Sequence, residues 1–216
     1  LCANLLEGGT TPSLGLIRAA RKIAGIGLHV IIRPRGGDFL FHDDEHEMML
    51  TDIAAAKEEG ADGVVIGLLT AEGDVDTDRT ARLIAAARPM SVTFHRAFDM
   101  ARDPFAALET LIGLGVDRVL TSGQEASVLE GLPLIAELIR RAGERIIIMP
   151  GGGIAARIAD AARPKEMHFA ALTAEAGGMR FRRAHISMGG ELRPPEFDHL
   201  VTSGQIIAQV MKNTKN

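Results

Sequence analysis

Six short runs of apolar and β-branched residues recur along this chain: GLHVIIRP (27–34), DGVVIGLL (62–69), MSVTFHRAF (90–98), DRVLTSG (117–123), RIIIMPGGG (145–153) and EMHFAA (166–171). Residues 1–4, LCAN, read as the tail of a seventh strand. Within each run the apolar character is nearly continuous instead of alternating. That is the pattern of a parallel strand covered on both faces. Parallel neighbours need a crossover, and helical segments lie between the runs. In 12–24, Leu14, Ile17, Arg21 and Ala24 fall at helical spacing. In 45–60, Met49, Ile53 and Ala56 share a face, and Gly60 supplies a stop. Asp103 and Pro104 open another helix as N-cap and first helical residue, and Gly143 closes the segment that begins at Leu132.

Strand follows strand at about one βα unit throughout, so the expected class is α/β, a TIM (β/α)8-type barrel. Seven strands are one short of eight, and the chain opens inside a strand. The first βα unit is therefore expected to be absent from this chain. A seven-stranded or open doubly wound sheet is the competing arrangement. With 216 residues, 46% of them hydrophobic, the chain can fill one core and not two. One barrel domain over 1–216 is expected. Its Gly-, Arg- and Pro-rich stretch at about 173–195 reads as an irregular arm, and 196–212 as a closing helix.

Charge and composition remove several partner classes. A net charge of −4 gives no footprint for nucleic acid, and the absence of Trp and Tyr leaves Phe alone for base stacking. No run approaches the ~18 apolar residues of a membrane span. No signal peptide is apparent. A single cysteine, Cys2, excludes an internal disulfide framework and fits a reduced, cytoplasmic protein.

In a barrel the chemistry sits at the C-terminal ends of the strands. Polar or glycine-rich residues follow most of the strands here on that side. Arg33 and Arg35, two residues apart on a chain stiffened by Pro34, share a face and suit a carboxylate or phosphate. Pairing with Glu7, Asp38 or Asp99 would instead make them a loop lock. Gly151, Gly152 and Gly153 precede a helix expected near Ile154 and would present bare N–H groups to an anion, beside Ser122 of TSGQ (121–124). His95 and Arg96, with Asp99, form the acid–base candidate, Asp99 either orienting His95 or balancing Arg96. Ser122 has no evident base and is no nucleophile. His168 reads as a core histidine. His42 and His46 of HDDEH (42–46) have the spacing for a divalent ion but also the pattern of a solvated helix start. Cys2 is either a Cu(I) ligand or core filler.

The segments LCANLLEGGTTPS, IIRPRGGDF, ADGVVIGLLT, VTFHRAFDM, LETLIGLGVDRVLTSG and IMPGGGI, in order from residue 1 to about 154, resemble the copper homeostasis protein CutC family. The resemblance implies a TIM barrel, a cytoplasmic location, assembly as a homodimer or larger, and copper binding. The thiol implied to hold copper matches Cys2, and a second family cysteine would lie in the absent first strand. HFAAL (168–172) lacks the arginine of the family's corresponding segment. Two functions follow. One is a copper-binding homeostasis protein using Cys2. The other is a barrel enzyme acting on a small phosphorylated or carboxylate metabolite. In it Arg33, Arg35, Arg96, Ser122 and Gly151–Gly153 would hold the anion, His95 and Asp99 would move the proton, and Glu7 would be a spare carboxylate. No lysine follows a strand end, which disfavours a Schiff-base aldolase.

Overall fold

A computed structural model describes residues 1–151, 164–182 and 198–213. Five strands, β1 (His29–Ile31), β2 (Gly63–Ile66), β3 (Ser91–Phe94), β4 (Arg118–Thr121) and β5 (Ile147–Pro150), form one sheet. Every neighbouring pair is parallel, and the order in space is the order in the chain. Helix α1 (Leu14–Arg21) precedes β1. Helices α2 (Asp43–Glu58), α3 (Thr77–Ala87), α4 (Pro104–Gly113) and α5 (Leu132–Ala142) fill the crossovers in turn. A doubly wound sheet reverses its strand order, whereas each unit here is added beside the last, as in a TIM (β/α)8-type barrel. The fold is α/β of that type, as expected.

The helix starts are set locally. Asp103 accepts from the Phe105 and Ala106 N–H groups at 2.8 and 3.1 Å, with Pro104 first in α4. Asp76 accepts from Arg79 N–H at 3.1 Å, and Glu45 reaches back to His42 N–H at 2.8 Å. Met49, Ile53, Leu83, Leu111 and Leu138 of the helices are buried with Val30, Val64, Val92 and Val119 of the strands. The alternate strand residues form the opposite face. There the Arg118 guanidinium reaches Ser91 Oγ at 2.6 Å and Glu166 Oε2 at 2.8 Å.

The two outermost runs pair less than expected. Ile31 N–H donates to Leu1 O at 3.1 Å, while Ala3 turns away to an antiparallel bridge with Thr10. The run 166–171 contributes a single parallel bridge, Gly151 to His168.

The residues divide into two compact units, Leu1–His168 and Phe169–Asn216. In the second, β6 (Leu172–Ala176) and β7 (Asp198–Thr202) pair antiparallel, Leu172 opposite Thr202 and Ala176 opposite Asp198. Helix α6 (Gly204–Asn213) follows. Residues 173–176 of the expected arm and 198–202 of the expected closing helix are thus strand. Their Leu, Val and Thr content favours that state, and Ser203 Oγ accepts from Ile206 N–H at 3.3 Å where the helix begins. Most of the arm, together with Gly152, Gly153 and the helix expected near Ile154, lies outside the described residues. Among the described residues, no helix is long and apolar enough to cross a membrane.

Candidate functional site

Ile31, Val65 and Thr93 are aligned partners across β1, β2 and β3. Two residues further along, Arg33, Gly67 and His95 therefore stand level on the same face, past the C-terminal strand ends. Hydrogen bonds of 2.8 Å from Ile32 N–H to Val65 O and from His95 N–H to Ile66 O carry the alignment to that point.

Arg33 is 5% exposed. Its Nη1 donates to Glu7 O at 2.6 Å and Gly9 O at 3.0 Å, and its Nη2 to Gly37 O at 2.8 Å. All three partners are carbonyls. Among the described residues Arg33 makes no ion pair, and its buried Nε has no partner. Burial is the main cause lowering its pKa from the ordinary arginine value.

His95 is also 5% exposed. Its Nδ1 accepts from Ala97 N–H at 3.1 Å, which places the ring proton on Nε2. Nε2 is buried without an acceptor. Burial, then the nearby Arg33 charge, push the His95 pKa down to about 3, so the ring is neutral. Gly67 makes room for it: a Cβ there would lie 2.3 Å from His95 Cε1. The Phe39 ring completes the group, with its centroid 5.1 Å from Arg33 Cζ and 5.1 Å from the His95 ring centroid.

The other expected residues divide cleanly. Arg35 is a loop lock. It pairs with Glu45 at 2.6 Å and Asp38 at 3.1 Å, and donates to the carbonyls of Gly36, Asp38 and Leu40. Arg96 pairs with Asp99 at 2.7 Å and donates to Ser122 Oγ at 2.7 Å. The Asp99 carboxylate accepts from the N–H groups of Ser122 and Gln124 and from Thr121 Oγ1. Asp99 therefore balances Arg96 and does not orient His95, whose Nδ1 is already taken. The anion held by Arg96 and Ser122 is the chain's own. Gly151 N–H donates to Thr121 O at 3.0 Å, so it belongs to the sheet. Glu7 is exposed, its carboxylate lying where a Cβ on Gly36 would fall.

The histidines away from the rim are scattered. His46 is buried with Nε2 3.3 Å from Arg79 O, His42 is exposed at the start of α2, and His168 is exposed beside Gly151. Phe39 and Gly67 were absent from the expected set. Phe39 ends the same run as the two arginines, and Gly67 follows β2 level with Arg33 after β1; the run is the signal that could have found the first and the strand-end position the second.

A profile described as the CutC family matches residues 1–173. The chain belongs to the CutC family. A mouse protein named copper homeostasis protein cutC homolog is 50% identical over 206 residues, covering 94% of this chain and 76% of its own length. A CutC family protein of Mesorhizobium japonicum is 49% identical over 219 residues, covering 100% of this chain and 85% of its own length. The crystal structure of a protein titled putative copper homeostasis protein CutC from Streptococcus agalactiae superposes with TM-score 0.75 at 37% identity, over 78% of this chain and 86% of that one. A structure titled QR15, an aldolase, superposes with TM-score 0.56 at 16% identity, over 72% of this chain and 74% of that one, a likeness of fold alone.

For a CutC chain, Cys2 is the residue to weigh for copper. It is half-buried, with Sγ beside Gly9. Among the described residues, no three His, Cys, Asp or Glu side chains stand close enough to hold a metal ion. One thiol is an incomplete donor set for Cu(I), which prefers several soft sulfur ligands. The described residues do not fit a resident copper centre.

Proposed function

We propose that this chain serves copper homeostasis in the cytosol through a small oxyanion held by Arg33 and His95 at the strand ends, and that it does so as a homo-oligomer. The role is taken from the mouse and human relatives named copper homeostasis protein cutC homolog. One observation supports the chemistry: Arg33 Nε and His95 Nε2 are buried donors without acceptors, past the ends of β1 and β3 on either side of β2. Leaving a buried donor unpaired costs about 1–3 kcal/mol, and an oxygen ligand taking both removes that cost. Guanidinium and imidazole N–H groups suit carboxylate or phosphate, so copper is handled indirectly in this reading. Arg35, Arg96, Ser122, Asp99 and Gly151 hold loops and sheet in place around the pair. Calorimetric titration with acetate and with inorganic phosphate tests it. Saturable binding of either, weakened about tenfold by Arg33→Met, is expected; binding of neither overturns the reading.

Direct Cu(I) binding at Cys2 is the second reading, favoured by the partial exposure of that thiol. Titration with Cu(I) under a competing chelator separates the two. If Cys2→Ala abolishes tight uptake and Arg33→Met does not, copper is the ligand and the arginine is scaffold.

A further inference from the structure

The oxyanion reading above leaves the ligand class open between phosphate and carboxylate. We propose that the ligand is the carboxylate of a small monobasic organic acid, forked across Arg33 with one oxygen shared to His95, and admitted by displacement of the Phe39 ring. This inference rests on that reading and narrows it.

Donor geometry comes first. Three of the five guanidinium N–H groups of Arg33 go to the Glu7, Gly9 and Gly37 carbonyls. The Nε–H and one Nη2–H remain, on adjacent nitrogens, and adjacent nitrogens are what a bidentate carboxylate spans. His95 adds one more N–H, because Ala97 N–H occupies its Nδ1. Three donors match a carboxylate and are few for a phosphate dianion.

Charge points the same way. Arg33 brings a buried positive charge that no carboxylate within ion-pair distance compensates among the described residues. Neutral His95 adds none. A monoanion balances the site; a dianion would leave a net negative charge away from water. The Glu7 carboxylate, which acts on Arg33 from the Leu5–Glu7 turn, further disfavours a second negative charge.

The wall is apolar. The Phe39 ring lies 5.1 Å from both the His95 ring and Arg33 Cζ, and suits the hydrocarbon part of an organic acid. The two unpartnered atoms are sealed from solvent. From the segment 36–40, Gly37 O and the Phe39 ring lie against Arg33, and the Phe39 ring also lies against His95. Gly37, at φ 80°, lets it turn, and Arg35 ties it through the Gly36, Asp38 and Leu40 carbonyls. Phe39, half-buried, carries the one ring of that segment and is the ring that must move.

The test is a titration of the full, 15N-labelled chain with acetate and pyruvate, and separately with inorganic phosphate, following the Arg33 Nε–H and His95 Nε2–H resonances. Both resonances are expected to move saturably with the carboxylates and to stay in place with phosphate. His95→Gln, which keeps a neutral donor, is expected to bind; His95→Leu and Arg33→Lys are expected to bind about tenfold more weakly, the worth of one charge-assisted hydrogen bond. Phe39→Ala is expected to speed association and keeps the test open should an Arg33 variant fold poorly. Saturable phosphate binding without carboxylate binding overturns this inference and leaves the oxyanion reading standing. If neither moves the two resonances, both fall.

Discussion

His95 is neutral, buried and adjacent to a guanidinium, and its stability contribution has a definite sign with pH. Its folded pKa of about 3 lies below the ordinary value of 6.5. Between the two, the unfolded chain binds a proton that the folded chain refuses, so stability falls as pH drops through that window. At pH 5 the loss from this one group is about 2 kcal/mol. His95→Gln removes it. Urea unfolding at pH 7 and pH 5 is expected to show a smaller acid loss for the variant than for the wild type; equal losses would place the sensitivity elsewhere. At this scale the sequence is only partly legible. Arg33 and Arg35 look alike in RPRGG, and both fit either an anion site or a lock. The fold separates them, giving Arg35 two carboxylates and Arg33 three carbonyls. No local pattern encodes which acids a loop will bring near.

At the scale of elements, the turn Arg96–Met100 is tied to the end of β4 by one side chain. The Asp99 carboxylate, 6% exposed, accepts from two backbone N–H groups, the Thr121 and Ser122 hydroxyls and Arg96. Asp99→Asn turns an amide N–H2 toward donors and strips Arg96 of its counter-charge. A loss of about 3 kcal/mol in chemical denaturation is expected; a loss below about 1 kcal/mol would mean that the turn is held by other contacts. The strands β1 to β5 fall inside the runs that foretold them, because a continuous apolar run has few other fates in a chain of alternating helices. The cap of α4 was readable because it depends on three neighbouring residues. The ribbon of β6 and β7 was hidden, since its pairing joins residues 22 to 30 apart and its own stretches are short, with Glu175, Asp198 and His199 set among their few apolar residues.

For the molecule as a whole, the βα period was the most legible property, because it survives any change of detail within a unit. The buried apolar cluster runs from Ile17 to Ile148, inside the unit Leu1–His168. A chain ending after His168 keeps all of that cluster. Its calorimetric melt is expected to stay cooperative, with Tm within about 5 °C of the full chain; a broad, non-cooperative melt would show that the second unit completes the core. The rim also carries two cradles of similar chemistry with different fates. Asp99 is tethered to the Arg96 and Ser122 cradle at an effective concentration that dissolved ions do not match. Changing the buffer therefore leaves that cradle as it is. In the proposed reading Arg33 takes a dissolved acid in place of a tethered one, so the composition of small acids around the protein would be sensed at one point of the rim and ignored at the other.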